Sequence, residues 1–346
     1  PHGLMPGRAG IDDRQTPGGP SRPGICHAAR DSVTSEVVVT VAKEPAAEAQ
    51  RRTEQVALAA FVSYSLLAGG NAVCIRFSNR ELAPLWGAGL RFALAAALLL
   101  LVMAVLRLPI PRGRALAGAV LYGVLTFGGA FALAYYALVR MHAGFGQIVL
   151  ALVPLATLIL AVLWRQERFR TAALAGCLLS LAGIVVMSQA PLRESVPPTS
   201  LVAAVGSVLC FAQGALLVRR FPPVHPVAIN ALGMTAGAAL LLAASAVVGE
   251  QWALPKQAET WLAVAYLVVI GSGVVFVLYV VVLRYWAASR AAYGFVIIPF
   301  VTVILSAWLD DERITAGFAL GGLLVLAGVY VGALRPPVSR PPPSLR

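Results

Sequence analysis

The sequence predicts an all-α polytopic membrane protein, with ten transmembrane helices arranged as two inverted five-helix repeats. Three observations carry that expectation. The chain is 59% hydrophobic and only 12% charged, roughly half the charged fraction of a soluble globular domain. Its apolar residues fall in stretches of about 18 to 24 positions, the length needed to cross a hydrocarbon core of roughly 30 Å. The chain also matches itself when slid by 145 positions.

A soluble chain of 346 residues would need a large polar surface to cover its core, and the residues for that surface are missing. Mean hydropathy is +0.81. Apolar blocks run over 56–75, 83–106, 115–138, 143–164 and 171–189, then 199–218, 225–248, 259–282, 288–309 and 315–334. The first five make one repeat, 56–189, and the second five make another, 199–334. Residues 1–50 are rich in Pro, Gly, Arg, Asp and Glu and lack an apolar run long enough for a signal segment. They are expected to be disordered, an over-extended start that opens on Pro1. Residues 335–346 form a Pro-rich tail that cannot continue a helix.

The formal charge of +12 does not imply nucleic acid, because the arginines are scattered between apolar blocks instead of forming one basic face. With the N-terminus in the cytoplasm, fifteen arginines from Arg51 onward fall on the cytoplasmic side, against six basic residues on the outer side. This positive-inside bias places both termini in the cytoplasm of a bacterial inner (plasma) membrane. Of the cysteines Cys26, Cys74, Cys177 and Cys210, none forms a CxxC pair. They read as small packing residues and not as metal or disulfide partners.

The repeat is the most specific signal. In the 145-residue register Gly128 falls on Gly273, Phe131 on Phe276, Pro154 on Pro299 and Thr157 on Thr302. Glu167-Arg168 then falls on Glu312-Arg313, Gly176 on Gly321, and Leu181-Ala182-Gly183 on Leu326-Ala327-Gly328. Shared hydrophobicity yields chance Leu and Ala matches, but not the proline, the Glu-Arg pair and the glycines together. Each half has an odd number of spans, so the second sits upside down relative to the first. Inverted halves relate an inward-open state to an outward-open one and place a substrate site near the midplane between them.

The run from Pro154, PLATLILAVLWRQERFRTAALAGCLLSLAGIVV, and its twin from Pro299 share a helix proline, a Glu-Arg turn and a helix with G-x6-G. Both resemble the closing segment of an EamA domain. The first half also resembles that family's opening, with Asn71, Arg76, Pro84 and Leu90-Arg91-Phe92 at matching spacing. The resemblance spans residues 56 to 334. It implies the drug/metabolite transporter superfamily, whose ten-helix members move amino acids, sugars, other metabolites or toxic compounds, many of them outward. The second half departs from the opening pattern: Pro226 parallels Pro84, but Gly233 stands where Arg91 would be.

Candidate substrate contacts are the polar residues within the spans. Arg91 is the basic residue deepest in a block, on the order of 12 Å from the span's end. A lipid-facing position would be costly, so it either bonds backbone carbonyls of neighbouring helices or attracts a substrate carboxylate or phosphate. Asn71, Gln147 and Gln213 are amides that either meet substrate or join helices. Tyr122, Tyr135, Tyr136, Tyr279 and Tyr293 suit a mixed-polarity pocket or an interfacial anchor. Gly128, Pro154, Gly273 and Pro299 read as paired hinges or packing notches, each proline being expected to kink its helix in mid-span. Glu167, Arg168, Glu312 and Arg313 sit at turns, as helix caps or gating ion pairs.

Apart from Glu259, the first residue of the block 259–282, no Asp or Glu lies within an expected span, which argues against a carboxylate-centred proton antiport. No P-loop is visible, so this chain alone is not expected to pump with ATP. His142 and His225 lack acidic partners, so an intramembrane enzyme is the least favoured class. No catalytic residue, metal site or cofactor is expected. The reading is a secondary transporter of a small metabolite (an amino acid or drug-like compound), moved outward by alternating access between the repeats. The alternative is a non-transporting receptor or assembly protein on the same scaffold. The expected partners are a small-molecule substrate and the lipid bilayer, with the chain as monomer or homodimer.

Overall fold

A main chain in hydrocarbon must satisfy its own N–H and C=O groups, and long apolar runs do so as helices. The computed structural model describes residues 28–138, 148–188, 197–309 and 316–334, which are helices and short connections without a strand. Six of the described helices are long and apolar enough to cross a membrane: α1 (Glu48–Ser78), α2 (Pro84–Val105), α3 (Arg114–Ala137), α6 (Pro198–Arg220), α7 (Pro226–Val248) and α8 (Ala258–Tyr285). Four shorter apolar helices accompany them: α4 (Ile148–Leu163), α5 (Thr171–Met187), α9 (Ala288–Thr302) and α10 (Ala319–Leu334).

Two units are distinguished, Pro1–Arg52 and Thr53–Arg346. The helix containing α1 runs Ala28–Ser78, and its Ala-, Glu- and Gln-bearing stretch before Arg51 has good local helix propensity. Residues 1–27 and the tail 335–346 lie outside the described residues.

Helix starts follow proline. Pro84, Pro198 and Pro226 occupy the first turns of α2, α6 and α7, where a missing N–H costs nothing. Gly249, in the left-handed region at φ 77°, closes α7. Within α4 a turn at 151–152 interrupts the helix, and Pro154 sits in the first turn of the segment Val153–Leu163 that follows, because its ring excludes the preceding turn's bonding. Pro299 does lie inside the helix Gly294–Leu309.

The sequence repeat reappears as geometry. α3 and α8 each contain a π-helical turn, Val124–Gly129 and Val269–Val274, and the two turns coincide in the 145-residue register. α5 and α10 cross on their repeated glycines. A Cβ on Gly176 would lie 2.7 Å from the Gly328 carbonyl oxygen, and one on Gly321 would lie 2.5 Å from that of Gly183. Gly176 meets Gly328 while Gly183 meets Gly321, so the two helices run antiparallel. Between those contacts Ser180 donates to the carbonyl of Val325, its own repeat mate, at 3.5 Å. A local two-fold axis passes through this point. Small residues permit such close backbone approach, which drives helix association where lipid removes the hydrophobic advantage.

Two ends of the bundle are distinct. At one, the connection after α7 reaches α2: Glu250 accepts from the backbone N–H groups of Leu85 (3.1 Å) and Trp86 (2.7 Å), and Trp86 stacks on Trp252 at 4.7 Å. At the other, Trp286 and the α8–α9 connection meet the start of α1 and the turn after α4. The cavity lies between these ends.

Candidate functional site

A partly open cavity of about 190 Å³ is lined by both halves of the chain. The first half contributes Tyr64, Ala68, Asn71 and Ile75 from α1, Arg91 from α2, Phe131 from α3 and Leu150 from α4. The second contributes Phe211 from α6, Val275, Phe276 and Tyr279 from α8, and Phe295 and Ile298 from α9. Its walls are largely aromatic. Tyr64 meets Tyr279 at 5.5 Å between ring centroids, Tyr279 meets Phe295 at 5.4 Å, and Phe295 meets Phe211 at 4.8 Å. No acidic side chain is among the described lining residues.

Arg91 supplies the charge. It is 3% exposed, and its Nε donates to Ser272 Oγ at 2.7 Å and its Nη2 to the Gly271 carbonyl at 3.0 Å. Its guanidinium also lies 5.0 Å from the Phe92 ring centroid and 5.8 Å from that of Phe131. The local backbone makes these bonds available. The π turn in α8 shifts the main-chain ladder by one residue, and the Gly271 carbonyl accepts from Asn71 Nδ2 at 3.3 Å as well as from Arg91. A side chain at Gly271 would collide with the Asn71 amide. Arg91 thus bonds a neighbouring helix and also lines the cavity.

In the second half Gly233 replaces Arg91, and there a Cβ on Gly123 would strike the Gly233 main chain. α7 closes directly on α3, whereas the guanidinium stands between α2 and the π turn of α8. The cavity lies on the side that keeps the arginine. The Pro84–Pro226 offset also makes Asn71 and Gln213 counterparts. Asn71 packs at Gly271, and Gln213 adjoins Gly214, whose position abuts Thr126, the repeat mate of Gly271. The amide oxygens of both residues are buried without a donor among the described residues, as is the Tyr279 hydroxyl.

The remaining predicted residues scatter. Tyr135 packs against the core next to the cavity, while its neighbour Tyr136 is 50% exposed and turns away. Successive helix positions point about 100° apart, so the pair does not act together. Gln213 is not among the lining residues. Tyr293 is fully buried and donates to the Ala173 carbonyl at 2.6 Å, with Cys177 Sγ at 3.2 Å, so it joins α9 to α5. Gly128 and Gly273 both sit in π turns; Gly128 packs on Leu240, and Gly273 has no comparably close neighbour. Gln147, Glu312 and Arg313 lie outside the described residues. Arg168 is exposed. Glu167 caps no helix of its own: it accepts the Ser289 N–H at 3.1 Å, together with the Ser289 hydroxyl, and so ties the turn after α4 to the start of α9.

That tie belongs to a cluster of contacts at the Trp286 end. Arg290 pairs with Glu54 at 2.6 Å and lies 3.6 Å from the Trp286 ring centroid, while Trp286 Nε1 donates to the other Glu54 oxygen at 3.1 Å. Phe61 meets both Trp286 and Tyr64, and Tyr64 donates to the Ala291 carbonyl at 2.5 Å. The rings of Phe61 and Tyr64 thus separate the cavity from the Trp286 end. Sequence reasoning missed this cluster, and also Tyr64, Phe211 and Phe295. At the opposite end Glu81, outside the apolar helices, is held below the usual carboxylate range by the Thr260 hydroxyl, then by the Gln257 and Lys256 N–H groups.

The EamA-like transporter family model matches residues 55–189 and again 198–333. The inner membrane transporter YedA of Escherichia coli K12, itself designated uncharacterized, is 29% identical over 282 residues, covering 78% of this chain and 90% of its own. YedA of E. coli O157:H7 aligns with the same figures. A protein of known crystal structure superposes with a TM-score of 0.68 at 22% identity, covering 80% of this chain and 96% of its own. That likeness shows the fold. The doubled match spans both halves of the repeat, and the chain belongs to the EamA-like transporter family of integral membrane proteins.

Proposed function

We propose that the chain is a secondary transporter that carries a small metabolite outward by alternating access. It crosses the membrane ten times, in two inverted five-helix halves with both termini cytoplasmic. The four shorter helices supply the crossings beyond the six long ones, and α5 and α10, as antiparallel repeat mates, support the inversion. The observation that carries the reading is the cavity itself, walled by both halves and holding a buried cation beside unpartnered amide and phenol oxygens.

In this reading Arg91, Asn71 and Tyr279 touch the cargo. In the same reading the Trp286 end faces the cytoplasm and is a closed gate. Opening it requires the Glu54–Arg290 pair and the Glu167–Ser289 tie to part, while the π turns at Gly128 and Gly273 and the helix at Pro299 absorb the bending. Differential stability of two such states is what a cargo has to bias.

The test is a metabolite-sensitivity and efflux screen with and without the gene, followed by flux in proteoliposomes. The reading expects at least one compound whose export depends on the chain. A broad panel in which nothing moves overturns it.

A further inference from the structure

We infer that the cavity binds a small organic monocarboxylate, the carboxylate seated on the free tip of Arg91 and an apolar body held among the rings. The inference rests on the transporter reading and deepens it by naming the chemical class of the cargo.

The first ground is charge. A guanidinium that is 3% exposed is costly in an apolar interior unless an anion meets it. Its side-chain and carbonyl partners, Ser272 and Gly271, are neutral, and no acidic side chain is among the described lining residues. Among the described residues, then, no anion balances the charge of Arg91, which meets only neutral groups and the rings of Phe92 and Phe131. A cation is repelled from it. A phosphate dianion brings one negative charge too many into a low-dielectric space. A monoanion neutralises it.

The second ground is geometry. A guanidinium has five N–H donors in a rigid fork, and two are committed to the π turn of α8. Among the described residues the other three have no acceptor, enough for a paired contact with the two oxygens of a carboxylate, the arrangement arginine favours. The Asn71 Oδ1 atom and the Tyr279 hydroxyl, both buried and without a partner among the described residues, belong to residues lining the same cavity. They suit a hydroxyl or amine on the ligand, because a buried polar group left unpaired is expensive.

The third ground is size and wall chemistry. The cavity is about 190 Å³, which limits the cargo to a small molecule. Phe131, Phe211, Phe276 and Phe295 surround that space, which suits a flat apolar body better than a sugar.

The test uses purified full-length protein and four probes of matched shape: 3-phenylpropanoate, 3-phenylpropanamide, 3-phenylpropylamine and phenyl phosphate. Binding is read by thermal shift and by tryptophan fluorescence titration. The expected result is tightest binding of the carboxylate, at least tenfold tighter than the other three. Arg91→Gln should lose at least tenfold for the carboxylate while leaving amide binding within twofold, and Arg91→Lys should retain part of the preference. The ranking on unmodified protein stands even if Arg91→Gln fails to fold. Amide, amine or phosphate binding within twofold of the carboxylate overturns the proposal. So does a panel in which none of the four binds. If neutral or cationic compounds are exported through the cavity while carboxylates are not, the monocarboxylate assignment fails and the transporter reading survives.

Discussion

Replacing Glu54 by alanine should loosen the closed end of the bundle by an amount the contacts allow one to work out. The Glu54–Arg290 pair is partly exposed, at 52% and 23% of the two side chains, so it contributes only about 0.2–1 kcal/mol. Glu54 also accepts the Trp286 indole N–H at 3.1 Å, a hydrogen bond contributing about 0.5–1.5 kcal/mol net. Losing both should destabilise the closed state by about 1–2 kcal/mol, a shift of roughly 5–30-fold in the equilibrium. Glu54→Gln should cost less, because the amide oxygen still accepts from the indole. The assay places a single cysteine at Ala68, in the cavity wall, with Cys26, Cys74, Cys177 and Cys210 replaced. Labelling by a membrane-impermeant maleimide is then timed from each side in inside-out and right-side-out vesicles. Glu54→Ala should raise the rate from the Trp286 side by that factor and lower it from the other. Exchanging the charges, Glu54→Arg with Arg290→Glu, should restore part of the original ratio. An unchanged rate would refute the gate, and an equal rise from both sides would indicate general loosening instead.

Other consequences follow from the same contacts. Gly183→Leu or Gly328→Leu should force α5 and α10 apart and lower stability by about 1–3 kcal/mol, seen as a fall in Tm; Gly87→Ala, which meets only the Leu82 side chain, should change it far less. Glu250→Ala removes the carboxylate that accepts from Leu85 and Trp86, and should cost about 1 kcal/mol of cap energy, with faster amide exchange confined to the first turn of α2. For Glu81 the sign is set by its depressed pKa. Its contribution is fully present above the unfolded value of about 4.3 and is lost as pH falls through the lower folded value. Acidification from pH 5 to 3 should therefore lower Tm more in the unmodified protein than in Glu81→Gln, and parallel curves would count against the contact.

Much of the fold was legible because its determinants are local or periodic. Apolar run length gives helices, and Pro154, Gly176 and Gly183 with their mates give the repeat. The glycine crossing of α5 and α10 is that repeat turned into geometry. Arg91 stood out because a cation in an apolar run has few destinations, and the structure places it at the cavity. The aromatic walls were not legible. Phe211, Phe276 and Phe295 lie in three helices and look like any core phenylalanine until the bundle closes. Glu54 and Arg290 are 236 positions apart in sequence, and no local pattern links them. The π turns left only glycines as a trace, so Gly271 was not seen as the acceptor for Arg91. Which of the two readings of the tyrosines applies to Tyr136 and Tyr293 was not legible for a related reason: a tyrosine's residue type does not state which side of a helix it occupies.

The most direct measurement is flux through the cavity itself. A cargo found by the efflux screen should cross proteoliposomes containing the unmodified chain. Ile298→Trp, which fills the cavity from its wall, should abolish that flux while leaving Tm within a few degrees. Full transport by a folded Ile298→Trp protein would contradict the assignment of this cavity as the path.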